Sequence, residues 1–172
     1  LQLVVRNVGG GRPGGVDRAA HGNPGKVSFC FAERPDSPFD SLAEADAVER
    51  ISGEIRGAKV AALARCKPKD VEVAGKALRH AARPVLHTFL ATSAIHLRDK
   101  LKITPDEALR QARDGVALAK SLAAEVEFSA EDASRSDYGY LLEVLRAVHE
   151  AGASVLNVPD TVGYSLPHEY AE

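Results

Sequence analysis

From Ser41 onward the sequence alternates compact apolar runs with amphipathic helical stretches, and this alternation narrows the available folds more than any other feature. Ser41-x-x-Glu44 makes a capping box, and Leu42, Ala45, Val48, Ile51 and Ile55 then recur at helical spacing until Gly57. A short apolar strand is expected from Val60 to Ala64. A helix from about Lys69 to His80 follows, with Val71, Ala74, Ala77 and Leu78 inward, and then a strand from Val85 to Ala91 with Pro84 at its mouth. Thr104-Pro105-Asp106-Glu107 supplies an N-cap, a first-turn proline and an acid, opening a helix whose stripe is Ala108, Ala112, Val116, Ala119 and Leu122. A strand from Glu125 to Ser129 comes next. Leu141, Val144, Leu145 and Val148 then face inward on a helix closed by Gly152, and a last strand runs from Ser154 to Asn157. Apolar strands separated by helices pair in parallel through right-handed crossovers. The expected fold is therefore α/β: a partial TIM (β/α)8 barrel with about half of the strands, since a complete one needs roughly 250 residues.

The first forty residues differ in kind. Between Gly9 and Gly25 lie seven glycines and two prolines with no helical or strand period, so residues 1–40 are left as an unassigned, poorly ordered segment and 41–172 as the barrel domain. Charge excludes some partners. With 22 basic against 24 acidic side chains, no long-range field favours nucleic acid or an anionic membrane. No apolar run reaches transmembrane length, and Cys30 and Cys66 are too scattered for a disulfide framework or a zinc knuckle, which fits a reducing cytoplasm. The chain starts at Leu1 without methionine and ends just after Ser165-Leu166-Pro167-His168-Glu169, a capped helix start, so it is expected to be cut at both ends.

Three strand ends carry polar residues where a pure core would have none. His87 sits within Val85-Leu86-His87-Thr88-Phe89, Ser129 and Glu131 end the next strand, and Asn157-Val158-Pro159-Asp160-Thr161 ends the last. Strand parity puts Glu127, Ser129 and Glu131 on one face, and Asn157, Pro159 and Thr161 on one face. A lone strand histidine is more often a satisfied buried group. Three successive strands with the same habit point instead to a small-molecule surface at the C-terminal ends, where an α/β barrel keeps its active site. Asp132, Ser134, Arg135, Ser136 and Asp137 form a dense polar stretch whose plain reading is a solvated loop plus a helix cap, a reading preferred here for Ser136 and Asp137, either of which can be the N-cap. His80, His96, His149 and His168 show no metal-ligand spacing and read as surface or helix-face residues. Gly9, Gly11 and Gly14 satisfy a G-x-G-x-x-G pattern with Glu33 at ribose-ligand distance, but Pro13, Gly22, Pro24 and Gly25 break the helix the motif requires.

With His87-Thr88-Phe89-Leu90-Ala91-Thr92-Ser93, Ile95-His96-Leu97, Lys100-Leu101, VEFSAEDASRSD from Val126 and NVPDTVGY from Asn157, the chain resembles the 2-isopropylmalate synthases of leucine biosynthesis, from about Ala43 to its end. Homocitrate synthases would be expected to differ around Ala130 to Arg135, and citramalate synthases more strongly. A non-catalytic half-barrel remnant is the reading from another class, motivated by open edges near Val60 and Val155. The resemblance implies a transferase joining acetyl-CoA to 2-oxoisovalerate with a divalent metal (Mg, Mn or Zn), in a cytoplasmic enzyme that is a homodimer when complete. It implies that His87, Ser129, Asn157 and Thr161 bind the oxo acid, that Pro159 shapes the pocket, and that Glu131 is the carboxylate nearest the proton chemistry. The family's early Arg-Asp-Gly-Glu-Gln strand has no match between Leu1 and Asp40, and its His-x-His metal pair and leucine-binding domain have none either. The metal ligands are thus expected to be missing and the chain inactive alone.

Overall fold

Apolar runs flanked by glycine, proline and helix caps become strands here because each is too short to bury itself as a helix and each carries at least one valine. A computed structural model describes residues 4–5, 26–31 and 41–171, with side chains from 45 to 170. Its strands are β1 (Val4–Val5), β2 (Lys26–Phe31), β3 (Lys59–Arg65), β4 (Pro84–Ala91), β5 (Glu125–Glu131) and β6 (Val155–Asn157). Its helices are α1 (Ser41–Glu54), α2 (Pro68–Ala77), α3 (Pro105–Leu122), α4 (Tyr138–Glu150) and α5 (Pro167–Ala171), with a π-helical turn at His96–Leu101 between β4 and α3. The loop expected at Gly9–Gly25, the glycine pattern with Glu33, and the side chains of Ser41, Leu42 and Glu44 lie outside the described residues.

Strand order in the sheet follows chain order from β1 to β6, with β1 antiparallel to β2 and every later neighbour parallel. Consecutive helices α1 to α4 pack side by side against one face of the sheet. Sequential parallel strands with one helix layer are the arrangement of a (β/α)8 barrel opened out, whereas a doubly wound sheet reverses its strand order. The chain is an α/β partial barrel. The four strands expected from the sequence are all present, and β2 adds a parallel strand in the stretch left unassigned. Because β2 pairs Val27 with Val60, the open edge expected at Val60 is covered. The edge at β6 is open among the described residues, with Val155 and Leu156 exposed at 37% and 40%.

The helix-side core runs through Val60, Ala62 and Ala64 of β3, Leu86 and Leu90 of β4, and Val126, Phe128 and Ala130 of β5. Against it lie Val71 and Ala74 of α2, Ala108, Ala112 and Val116 of α3, and Val144 and Val148 of α4. Alanine-rich stripes let the helices approach the sheet closely, and Gly115 of α3 lies against the residue that follows β3: a Cβ there would stand 2.8 Å from Cys66 Cβ. Burial pushes the Cys66 thiol up to about 12 despite the neighbouring Thr88 hydroxyl, so it is a packing group. The α3 cap forms as its sequence demands, with Thr104 Oγ1 accepting from Glu107 N–H at 3.2 Å while Glu107 Oε2 accepts from Thr104 N–H at 2.8 Å. Gly152 ends α4 at φ +116, where a Cβ would also strike Lys120 Cγ at 2.7 Å.

Two stripe positions differ from expectation. Ile51 is 42% exposed, and the buried place on α1 goes to Ser52, whose hydroxyl donates to Ala77 O at 2.9 Å. A serine can occupy that face because α2 offers it a carbonyl. Leu122 is 46% exposed at the end of α3, covering Gly75 of α2 from outside the core.

Candidate functional site

The opposite face of the sheet is built on the other strand parity. Lys59 and Glu125 pair at 2.6 Å near its N-terminal end, and further along come His87, Glu127, Ser129 and Asn157. In register, His87 stands across from Glu127 and Ser129 across from Asn157. Three neighbouring strands therefore place one side chain each within hydrogen-bond reach. His87 Nε2 and Ser129 Oγ lie 2.6 Å apart, Asn157 Nδ2 donates to Ser129 Oγ at 2.8 Å, and Glu127 Oε1 is 3.6 Å from His87 Nε2. A serine hydroxyl held between an imidazole and a carboxamide offers a small ligand donors and acceptors on one side.

At the strand ends the row opens into a rim. Glu131 closes β5, and Lys100 donates to its two oxygens at 2.8 and 3.0 Å. Thr161 lies beyond the end of β6, so strand parity no longer governs it, and its hydroxyl accepts the Asp132 main-chain N–H at 2.8 Å. Asp160 turns that loop by accepting from Ser134 Oγ and Ser165 N–H, which hold its carboxyl below the usual range. Pro159 is half-buried in the same loop. The structure thus joins His87, Ser129 and Asn157 directly, sets Glu131 and Thr161 on the adjoining rim, and keeps Pro159 in the loop between Asn157 and Thr161.

The sequence left the centre of this rim unassigned. Asp132, one of a dense polar stretch, is fully buried at φ 63, a left-handed conformation that aspartate tolerates better than most residues. Ser93 Oγ donates to Asp132 Oδ2 at 2.5 Å, His96 Nδ1 lies 2.8 Å from the same oxygen, and Arg135 donates to both oxygens at 2.7 and 2.8 Å. Burial works against the charge, but these donors outweigh it and hold the carboxyl below the usual carboxylate range. The same bond raises Arg135 above the ordinary guanidinium value. His96 is accordingly not a plain helix-face residue. The signals that pointed there were Ser93 and His96 three apart just after β4, and Asp132 and Arg135 three apart just after β5. Asp137 caps α4 through Tyr140 N–H at 2.8 Å, as its spacing implied.

Among the described residues no three His, Cys, Asp or Glu side chains converge as metal ligands, and the rim carboxylates Glu131 and Asp132 are engaged by Lys100 and Arg135. The residues described do not fit a metal centre. Among them, too, no helix is long and apolar enough to cross a membrane.

The HMGL-like family model matches residues 35–172. The chain is 50% identical over 135 residues to the 2-isopropylmalate synthases of Pyrococcus furiosus and Dictyoglomus turgidum, covering 78% of this chain and 27% of each relative. It is 49% identical over 133 residues to that of Heliobacterium modesticaldum, covering 77% and 26%. The chain spans about a quarter of the length of these curated relatives.

Proposed function

The chain belongs to the HMGL-like family, and from that premise we propose that it forms the oxo-acid-binding part of a 2-isopropylmalate synthase of leucine biosynthesis. The single observation that carries the reading is the hydrogen-bonded row His87–Ser129–Asn157 across three parallel strands, with Glu131 at its open end. The row suits 2-oxoisovalerate: Asn157 and Ser129 meet the oxo-acid oxygens as donors, Thr161 adds a hydroxyl from the rim, and Pro159 limits the space for the branched chain.

In the reaction, a methyl proton of acetyl-CoA leaves toward Glu131, the resulting carbanion equivalent forms a bond to the keto carbon, and the keto oxygen takes up a proton. Water then cleaves the thioester, leaving a carboxylate and free CoA thiol. Lys100 already engages Glu131, so the substrate reaches that carboxylate by sharing or displacing an ammonium. The whole enzyme, a cytoplasmic acyltransferase acting as a homodimer, would use a divalent metal (Mg, Mn or Zn) to polarise the keto group, with ligands from outside the described residues. The division of the chain at residue 40 belongs to the same proposal.

The test is thiol release from acetyl-CoA with 2-oxoisovalerate, by the intact enzyme carrying this segment and by its Ser129→Ala variant. A fall in kcat/KM of at least about tenfold, or 1.4 kcal/mol, is expected; an unchanged value overturns the assignment of the row. This chain alone is expected to release no thiol. A panel of 2-oxo acids separates this reading from a homocitrate- or citramalate-type enzyme, since one methylene changes selectivity by only about 1–3 kcal/mol.

The open β6 edge favours one second reading, a non-catalytic half-barrel that docks with a complementary half. Sedimentation decides it: a monodisperse monomer at high concentration argues against docking.

A further inference from the structure

Asp132 ties together loops from three successive strands. Its carboxylate receives Ser93 and lies against His96 from the segment after β4, it holds Arg135 from the turn after β5, and its main-chain N–H reaches Thr161 after β6. The proton positions follow from the donors. An ionised carboxylate only accepts, so the His96 Nδ1 that lies 2.8 Å from Asp132 Oδ2 carries a proton. Ser93 gives its one proton to the same oxygen, so its 2.9 Å contact with His96 Nδ1 makes Ser93 Oγ an acceptor. With Nδ1 protonated, a neutral His96 keeps its lone pair on Nε2, which has no partner among the described residues. The ring lines a groove with Ile95, Asp99, Lys100 and Arg135, next to Glu131 through the Lys100 ion pair. Thr161 spends a lone pair on Asp132 N–H, so its own proton is free to donate.

We propose that Asp132 is the positioning residue of this rim: its carboxylate fixes His96 as the Nδ1–H tautomer and orients Arg135, so that His96 Nε2 accepts, and the Thr161 hydroxyl donates, toward a bound molecule. The molecule therefore needs an O–H or N–H donor beside His96 and an oxygen beside Thr161. That this molecule is the oxo acid with its acyl donor rests on the function proposed above. An aspartate–histidine pair of this kind selects a tautomer and ring orientation without itself touching the reacting atoms.

The test is a long-range proton–nitrogen correlation spectrum of the full chain labelled with nitrogen-15 histidine, near neutral pH. The wild-type chain is expected to show His96 protonated at Nδ1, and Asp132→Gly, which keeps the left-handed backbone open, is expected to shift it toward the Nε2–H form. A wild-type His96 protonated at Nε2 alone, or an Asp132→Gly spectrum identical to wild type, overturns the proposal. Should Asp132→Gly fail to fold, Ser93→Ala serves instead: it leaves the carboxylate in place, and loss of the Nδ1–H form there would overturn the role of Asp132. Thiol release by the intact enzyme is read separately. Its absence with the Nδ1–H form present removes the synthase reading and leaves the Asp132 role standing.

Discussion

The two faces of the sheet are closed by different means. The helix face is closed by shape: alanine, valine and Phe128 meet α1 to α4 with no room at Gly115. The other face and its rim are closed by polar side chains that satisfy one another, from Lys59–Glu125 through His87–Ser129–Asn157 to Asp132 with its donors. Adjacent residues on one strand, Phe128 and Ser129, belong to these two systems. Packing energy comes from the first, and the second carries the row proposed to bind the oxo acid, so substitutions should separate stability from ligand binding.

The largest break is expected on the helix face. Phe128→Ala leaves a cavity under fully buried neighbours and should cost about 3–5 kcal/mol, read as a lower denaturant midpoint. Gly115→Ala drives a methyl into Cys66 and should cost about 1–3 kcal/mol by the same measurement. On the polar face, Ser129→Ala should cost only about 1 kcal/mol in stability, while weakening 2-oxoisovalerate binding by at least about tenfold in a calorimetric titration.

Acid should distinguish the faces as well. Asp132 has a carboxyl held below its unfolded value of about 3.9, so its stabilisation is present above that pH and is lost as pH falls below it. Melting temperature followed downward from pH 5 should drop less steeply in Asp132→Asn than in wild type. The smallest effect belongs to the partly exposed Lys59–Glu125 pair, where Glu125→Gln should cost about 0.2–1 kcal/mol, less at high salt.

Much of the helix face was legible in the sequence because its information is local. Periods of two and three and a half, the Thr104–Glu107 box and Gly152 placed β3 to β6 and α2 to α4 within a few residues. Where the deciding partner lies far along the chain, the reading failed. Ser52 is buried through Ala77, which no local pattern announces, and Ile51 was put inside in its place. Asp132 was left without a role in its polar stretch because three of its partners come from segments 29 to 39 residues away. His87, Ser129 and Asn157 were legible one by one for the opposite reason, each being a polar residue in or at the end of an apolar run, while the strand register that sets them side by side is not written in any local pattern. Thr161 reached the rim through the loop after β6, a route parity does not describe.

The most direct measurement is an amide chemical-shift titration of the labelled chain with 2-oxoisovalerate. The account predicts the largest shifts at Ser129, Asn157, Asp132 and Thr161, with Ala112 and Val144 on the helix layer unmoved. Saturable shifts centred on the helix layer, or none at any site, would contradict it.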